Sequence, residues 1–167
     1  MYDKITIEDI KRMEEEIEYR KLVVRKKALE DVQEARAHGD LSENFEYKAA
    51  KQYKNQNESR IRYLEKMIKT AVIISEDSNS DEVGVNTMVT IYLPEDGTEE
   101  AYKIVTTVRA NSIKGLISID SPLGKALLHH KVDDQVSVKI SDTYSYDVII
   151  QKIEKLQDDG TDQLRKY

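Results

Sequence analysis

The chain of 167 residues has no Cys, no Trp, one Phe, two Pro and six Gly. Without Cys there are no disulfides, no thiolate nucleophile and no thiolate-ligated zinc. Three His residues (His38, His129, His130) are too few and too scattered to suggest a metal set. No apolar run approaches the length needed to span a membrane, and the opening Met1–Ile10 lacks the apolar core of a signal peptide. The expectation is a soluble cytoplasmic protein with no membrane association. The net charge of −6 also argues against a free-standing nucleic-acid binder, which is usually basic, so no independent DNA binding is expected.

What is abundant is charge, at 35% of residues. So many charges with so few turn residues point to long solvated helices. The charge is unevenly divided. Residues 1–75 hold 16 Lys and Arg against 15 Asp and Glu, a net of +1, whereas residues 76–167 hold 10 against 17, a net of −7. Two segments with different electrostatics suggest two tasks.

The first segment predicts two helices. Ile10, Met13, Ile17, Val24, Ala28, Val32 and Ala35 recur at helical spacings, and Tyr47, Ala50, Lys54, Asn57, Ile61, Leu64 and Ile68 alternate steps of three and four without a break. Between them lies His38-Gly-Asp-Leu-Ser-Glu-Asn44, with Gly39 suited to end one helix and Asp40 or Ser42 to cap the next. So short a connection forces antiparallel neighbours, giving a hairpin with arms of about 30 residues, roughly 45 Å long. Its seam is apolar at the base and polar towards the tip. Glu76–Glu82 is a polar break. Beyond it the period becomes two, with strands expected at Thr87–Leu93, Tyr102–Val108, Leu116–Ile119, Val136–Ile140 and Tyr146–Ile150. One helix interrupts them, capped by Ser121, with Pro122 in its first position and Leu123 to His130 following. The expected fold is α+β. A helical hairpin spans 1–75, a linker 76–84, a small β-rich domain 85–157 and a loose tail 158–167.

Asp40 and Glu43, in the turn, are the pair that could carry chemistry. Asp-x-x-Glu before a helix also reads as a capping box. That reading leaves Leu41 and Phe45 unexplained, two large apolar residues at the most exposed point of the hairpin. Two carboxylates on a solvated turn bind Mg²⁺ only weakly, but they could complete a site whose other ligands and phosphodiester belong to a partner. Arg20, Lys21, Arg25, Lys26 and Lys27 form a basic block, and Lys48, Lys51, Lys54, Arg60 and Arg62 on the other arm extend the same positive belt. Such a belt suits a phosphate backbone or simply a solvated face.

Two stretches carry a family resemblance. Glu34-Ala-Arg-Ala-His-Gly-Asp-Leu-Ser-Glu-Asn-Phe-Glu-Tyr-Lys-Ala-Ala50 resembles the hairpin-tip signature of the Gre family of bacterial transcript cleavage (transcription elongation) factors. Ile117-Ser-Ile-Asp-Ser-Pro-Leu-Gly-Lys-Ala-Leu-Leu128 is similar to that family's C-terminal signature. The resemblance covers nearly the whole chain and is nearest the GreA branch. Ser42 stands where many GreA sequences have Lys, and the first helix departs from the usual opening.

The resemblance implies an N-terminal antiparallel coiled coil and a C-terminal FKBP-like domain that docks at the rim of the RNA polymerase secondary channel. The coil then reaches the active site, where the 3′ end of backtracked RNA is cut and arrested elongation is released. It assigns Asp40 and Glu43 to supporting Mg²⁺ shared with the polymerase, Lys48, Lys51 and Lys54 to the vicinity of the RNA, and Asp120, Ser121 and Pro122 to polymerase binding. The protein is then a monomeric cofactor of the polymerase's own cleavage activity, not an enzyme, and binds no cofactor in isolation. The alternatives are an inhibitory paralogue entering the same channel and an FKBP-like isomerase or chaperone. Against the latter, few aromatic residues are available to line a pocket.

Overall fold

The structure is a computed structural model that describes residues 3–39, 44–76 and 81–166. It divides into two compact units, one formed by Ile10–Ala71 and the other by Met1–Asp9 with Val72–Tyr167.

The Ile10–Ala71 unit is an antiparallel helical hairpin. Its first arm comprises α1 (Ile7–Tyr19), a π-helical stretch Arg20–Val24 and α2 (Arg25–Arg36); its second arm is α3 (Phe45–Thr70). All seven seam positions expected in α3 are buried or half-buried, from Tyr47 through Asn57, Ile61 and Leu64 to Ile68. In the first arm Met13, Ala28, Val32 and Ala35 are buried. Arg20, Val24, Ala28 and Val32 follow one another in steps of four. Three such steps would rotate a regular α-helix about 120° away from its seam. The wider turns of Arg20–Val24 absorb that drift and keep α2 facing α3.

In the other unit a five-stranded sheet has the order β5-β4-β3-β7-β6. Its strands are β3 (Thr87–Leu93), β4 (Thr98–Val105), β5 (Leu116–Ser118), β6 (Gln135–Lys139) and β7 (Ser145–Lys155). Pairing is antiparallel except between β4 and β5. One face alternates inward: Val89 and Ile91 on β3, Val136 and Val138 on β6, and Val148 and Ile150 on β7 are all buried. Helix α4 (Pro122–Leu127) closes this core with Leu127, while Leu123 packs partly against it. The helix is shorter than expected, ending at Leu127, with His129 in a left-handed conformation (φ 68°). Val108, expected in a strand, lies in a 3-10 turn, Thr107–Arg109.

Two boundaries differ from the expected ones. The first unit does not begin at residue 1. Lys4–Ile5 (β1) pairs in parallel with Val72–Ile73 (β2), and Asp9 makes a buried contact with Arg109, so residues 3–9 and 72–75 join the sheet-bearing unit. The segment after 157 is not a loose tail either. Asp162 pairs with Lys103 at 2.8 Å and Arg109 at 3.1 Å, and the Arg165 N–H donates to the Val108 carbonyl at 2.7 Å. Long-range ion pairing orders a segment with no hydrophobic periodicity of its own.

Candidate functional site

Polar pairs across the hairpin seam fix the register of the arms. The Arg25 guanidinium grips Glu58 through two bonds of 2.7 and 2.9 Å, and this holds the Glu58 carboxyl below its ordinary range. Arg60, 5% exposed, donates to Glu16 at 2.9 Å. Arg20 donates to Asn57 Oδ1 at 3.0 Å, and Lys21 meets Glu65 at 2.7 Å. Much of the expected basic belt is therefore committed to pairs within the hairpin, and Lys27 is paired with Asp31.

Lys48, Lys51 and Lys54 are different. All lie on α3 within its first turns; Lys48 and Lys51 are exposed and Lys54 half-buried. Among the described residues none of the three forms an ion pair, and Lys48 stands 5.7 Å from the centroid of Phe45, which is 80% exposed. These are the cations the resemblance places near RNA.

Asp40 and Glu43, together with Leu41 and Ser42, lie outside the described residues. The helix ends that precede and follow them in sequence are described. Helix α2 ends at Arg36, and Gly39 has φ +124°, a conformation that L side chains rarely adopt. The N-cap of α3 is Asn44, whose Oδ1 accepts from the Tyr47 N–H at 3.0 Å. This corrects the expectation that Asp40 or Ser42 caps the helix. Asn44 is the cap-type residue immediately before Phe45, and its extended backbone (φ −83°, ψ 98°) suits the position. Its Nδ2 also donates across the hairpin to the Ala35 carbonyl at 2.7 Å. Two further contacts close the neck. Arg36 lies 5.5 Å from the Tyr47 ring centroid, and its hydrogen bond to the phenol lowers the Tyr47 pKa; His38 meets Glu46 at 3.1 Å.

In the sheet-bearing unit Asp120, Ser121 and Pro122 lie together at the start of α4. Ser121 Oγ accepts from the Gly124 N–H at 3.0 Å and donates to the Ser118 carbonyl at 2.7 Å, so the expected cap is present. Pro122 occupies the first turn and is exposed. The exposed Asp120 accepts from Thr107 Oγ1 at 2.9 Å while its N–H donates to Ser118 Oγ at 3.0 Å. These bonds fix the direction in which the carboxylate faces solvent. Beside it lies a shallow, mostly apolar depression of about 420 Å³, lined in part by Leu116, Ile117, Ser121, Pro122, Leu123 and Tyr146.

The sequence reading missed the buried cluster around Arg109. This side chain is fully buried, with Nε 2.7 Å from Asp9 Oδ1 and Nη1 2.8 Å from Asn86 Oδ1. Thr106 donates to Asp9 Oδ2 at 2.7 Å. Thr6 and Asp9 also cap α1 reciprocally, with bonds of 3.0 and 3.2 Å between each backbone N–H and the other side chain. The Thr-x-x-Asp spacing was the available signal.

A helical hairpin in one unit and a five-stranded sheet with a capped helix in the other define an α+β protein. Sequence comparison identifies the class. Residues 4–73 match the family model described as "Transcription elongation factor, N-terminal", and residues 77–155 match "Transcription elongation factor, GreA/GreB, C-term". The chain belongs to the GreA/GreB family of transcription elongation factors. It is 47% identical over 136 residues to transcription elongation factor GreA of Geobacillus kaustophilus (strain HTA426), covering 81% of this chain and 86% of that one. Against GreA of Bacillus subtilis (strain 168) it is 44% identical over 135 residues, with the same coverage. A solved structure of the transcription factor Gfh1 aligns over 92% of this chain and 97% of that one, at 28% identity and a TM-score of 0.45. Membership rests on the sequence matches.

Proposed function

We propose that this protein stimulates the intrinsic transcript cleavage of RNA polymerase, entering the secondary channel with its hairpin and docking through the surface around Asp120, Ser121 and Pro122. In this reading the polymerase is the enzyme and the protein its monomeric, cytoplasmic cofactor. Asp40 and Glu43 offer hard carboxylate oxygens of the kind Mg²⁺ prefers. An ion shared with the polymerase would supply an oriented, activated water at the scissile phosphodiester. Lys48, Lys51 and Lys54 would neutralise RNA phosphates on the approach.

The observation that carries the reading is the cap. Because Asn44 terminates α3, the cap role that competed for Asp40 and Glu43 is already filled. Another role is then open to the two carboxylates, and metal support supplies one. The presence of both acids in the sequence disfavours an inhibitory paralogue, for which loss of a tip acid would be the expected mark. The depression beside α4 has Tyr146 as its one aromatic lining residue, which disfavours an isomerase pocket.

The test is a stalled, backtracked polymerase complex carrying 3′-labelled RNA. Adding the protein should release short labelled fragments and restore elongation. No acceleration of cleavage at saturating protein would overturn the reading.

A further inference from the structure

We infer that the segment after β7, residues 156–166, is a brace for the docking surface: it holds the 3-10 turn Thr107–Arg109, and through Thr107 it sets the Asp120 carboxylate. Thr107, Asp162 and Arg165 are then positioning residues for binding. The inference rests on the proposed docking of the Asp120 surface on polymerase and goes beyond it.

The bonds at Asp120 admit one arrangement of protons. A carboxylate cannot donate, so the Thr107 hydroxyl donates to Asp120 Oδ2 at 2.9 Å. That uses the one proton of Thr107, and the 2.6 Å contact between Thr107 Oγ1 and Ser118 Oγ is therefore donated by Ser118. Ser118 Oγ in turn accepts from the Asp120 N–H at 3.0 Å. The three residues close a ring in which every bond runs the same way. Ser118 is held by its place in β5, paired with Val105 of β4. Thr107 is held only by a 3-10 turn of three residues, a short element with poor hydrogen-bond geometry of its own.

The support for that turn comes from the far side. Val108 is buried, and its carbonyl accepts from the Arg165 N–H at 2.7 Å. Asp162 meets Arg109 Nη1 at 3.1 Å and Lys103 of β4 at 2.8 Å, and the Leu156 N–H donates to the Asn86 carbonyl at 2.8 Å. The segment is thus fastened to the turn at two points and to the rest of the unit at two more. Arg109 keeps Asp9 at 2.7 Å whether or not Asp162 is present, so releasing the brace leaves the buried pair in place. A carboxylate freed in this way has to be ordered again on binding, which costs affinity. The loss falls on binding and not on the reaction, because Asp40 and Glu43 belong to the other unit.

The test measures polymerase binding and stimulated cleavage against protein concentration, at a temperature where circular dichroism shows every variant folded. Asp162→Ala removes the ion pairs of the brace. Arg165→Pro removes only the N–H given to Val108, near the end of the chain, and is the milder release. Thr107→Val cuts the last link. Each should raise the half-saturating concentration, Asp162→Ala and Thr107→Val by about threefold or more, with the saturating cleavage rate at its wild-type value. The double variant of Asp162→Ala and Thr107→Val should be no worse than the weaker-binding single one, since both interrupt the same line of contacts. Additive losses in the double variant would show that Asp162 acts without Thr107 and overturn the inference. Wild-type affinity in Thr107→Val, or in both brace variants, would overturn it as well. Wild-type protein that does not bind polymerase, or Asp120→Asn that binds as tightly as wild type, overturns the docking reading itself, so the two failures are distinguishable.

Discussion

Gly124 is the residue at which the surface beside Asp120 is most tightly determined. A Cβ there would lie 2.0 Å from the Ser118 carbonyl oxygen and 2.9 Å from its carbon. Helix propensity favours alanine over glycine by about 1 kcal/mol, but the obstruction is backbone and cannot rotate away. Gly124→Ala is therefore expected to destabilise the protein, with overpacking costing about 1–3 kcal/mol. Urea denaturation should show a lower midpoint with an unchanged slope; an unchanged midpoint would mean that α4 shifts freely against β5. Ser121 and Pro122 were legible as cap and first helical residue because both preferences are local. The cap of α3 was not legible in the same way. Asp40, Ser42 and Asn44 are all cap-type residues, and spacing alone cannot choose among them. The choice is made by the bond from Asn44 to Ala35, a tertiary contact.

The same distinction between local and long-range causes governs the elements. The seam of α3 was readable throughout because steps of three and four encode one helical face. The π stretch in the first arm was not, since the apolar pattern tolerates one extra residue without announcing where it is accommodated. Strands β1 and β2, of two residues each, are too short to show any period. The segment after β7 is ordered by Arg109, far away in sequence. That cluster makes a strong prediction. Replacing Arg109 by Met removes the guanidinium buried against Asp9, and breaking a buried pair in this way costs about 3–5 kcal/mol. A loss within the range of an exposed pair, under about 1 kcal/mol, would show that the cluster does not hold this unit together. Between the hairpin arms the expectation concerns pH. The bond from Arg25 depresses the Glu58 pKa below its ordinary value of 4.5. The pair therefore stabilises the folded state above that value, and its contribution disappears as pH falls through the lowered pKa. Glu58→Gln should melt lower than wild type near neutral pH, and the two melting curves should converge on acidification. A gap that persists at low pH would indicate lost packing instead of a lost ion pair.

On the scale of the whole molecule the charge division, +1 before residue 76 and −7 after it, now has a structural counterpart. In the hairpin most arginines lock the arms together, whereas Lys48, Lys51 and Lys54 form no ion pair among the described residues. The sheet-bearing unit instead presents Asp120 beside an apolar depression. Under the proposed function these surfaces are separable: one binds polymerase and the other acts on the reaction. Asp120→Asn keeps the shape of the side chain and removes its charge. It should raise the concentration needed for half-maximal stimulation and leave the saturating rate intact.

Asp40→Asn should do the reverse. Asn caps a helix about as well as Asp, and Asn44 already occupies the cap of α3, so the melting curve should be unchanged. Docking should also be unchanged, because the substitution lies in the other unit. What is lost is the carboxylate charge that Mg²⁺ requires of its ligand, and stimulated cleavage should fall to the polymerase's intrinsic rate at every protein concentration. If Asp40→Asn stimulates cleavage normally with unaltered binding and melting, the turn does not support the metal, and the chemistry proposed for it is wrong.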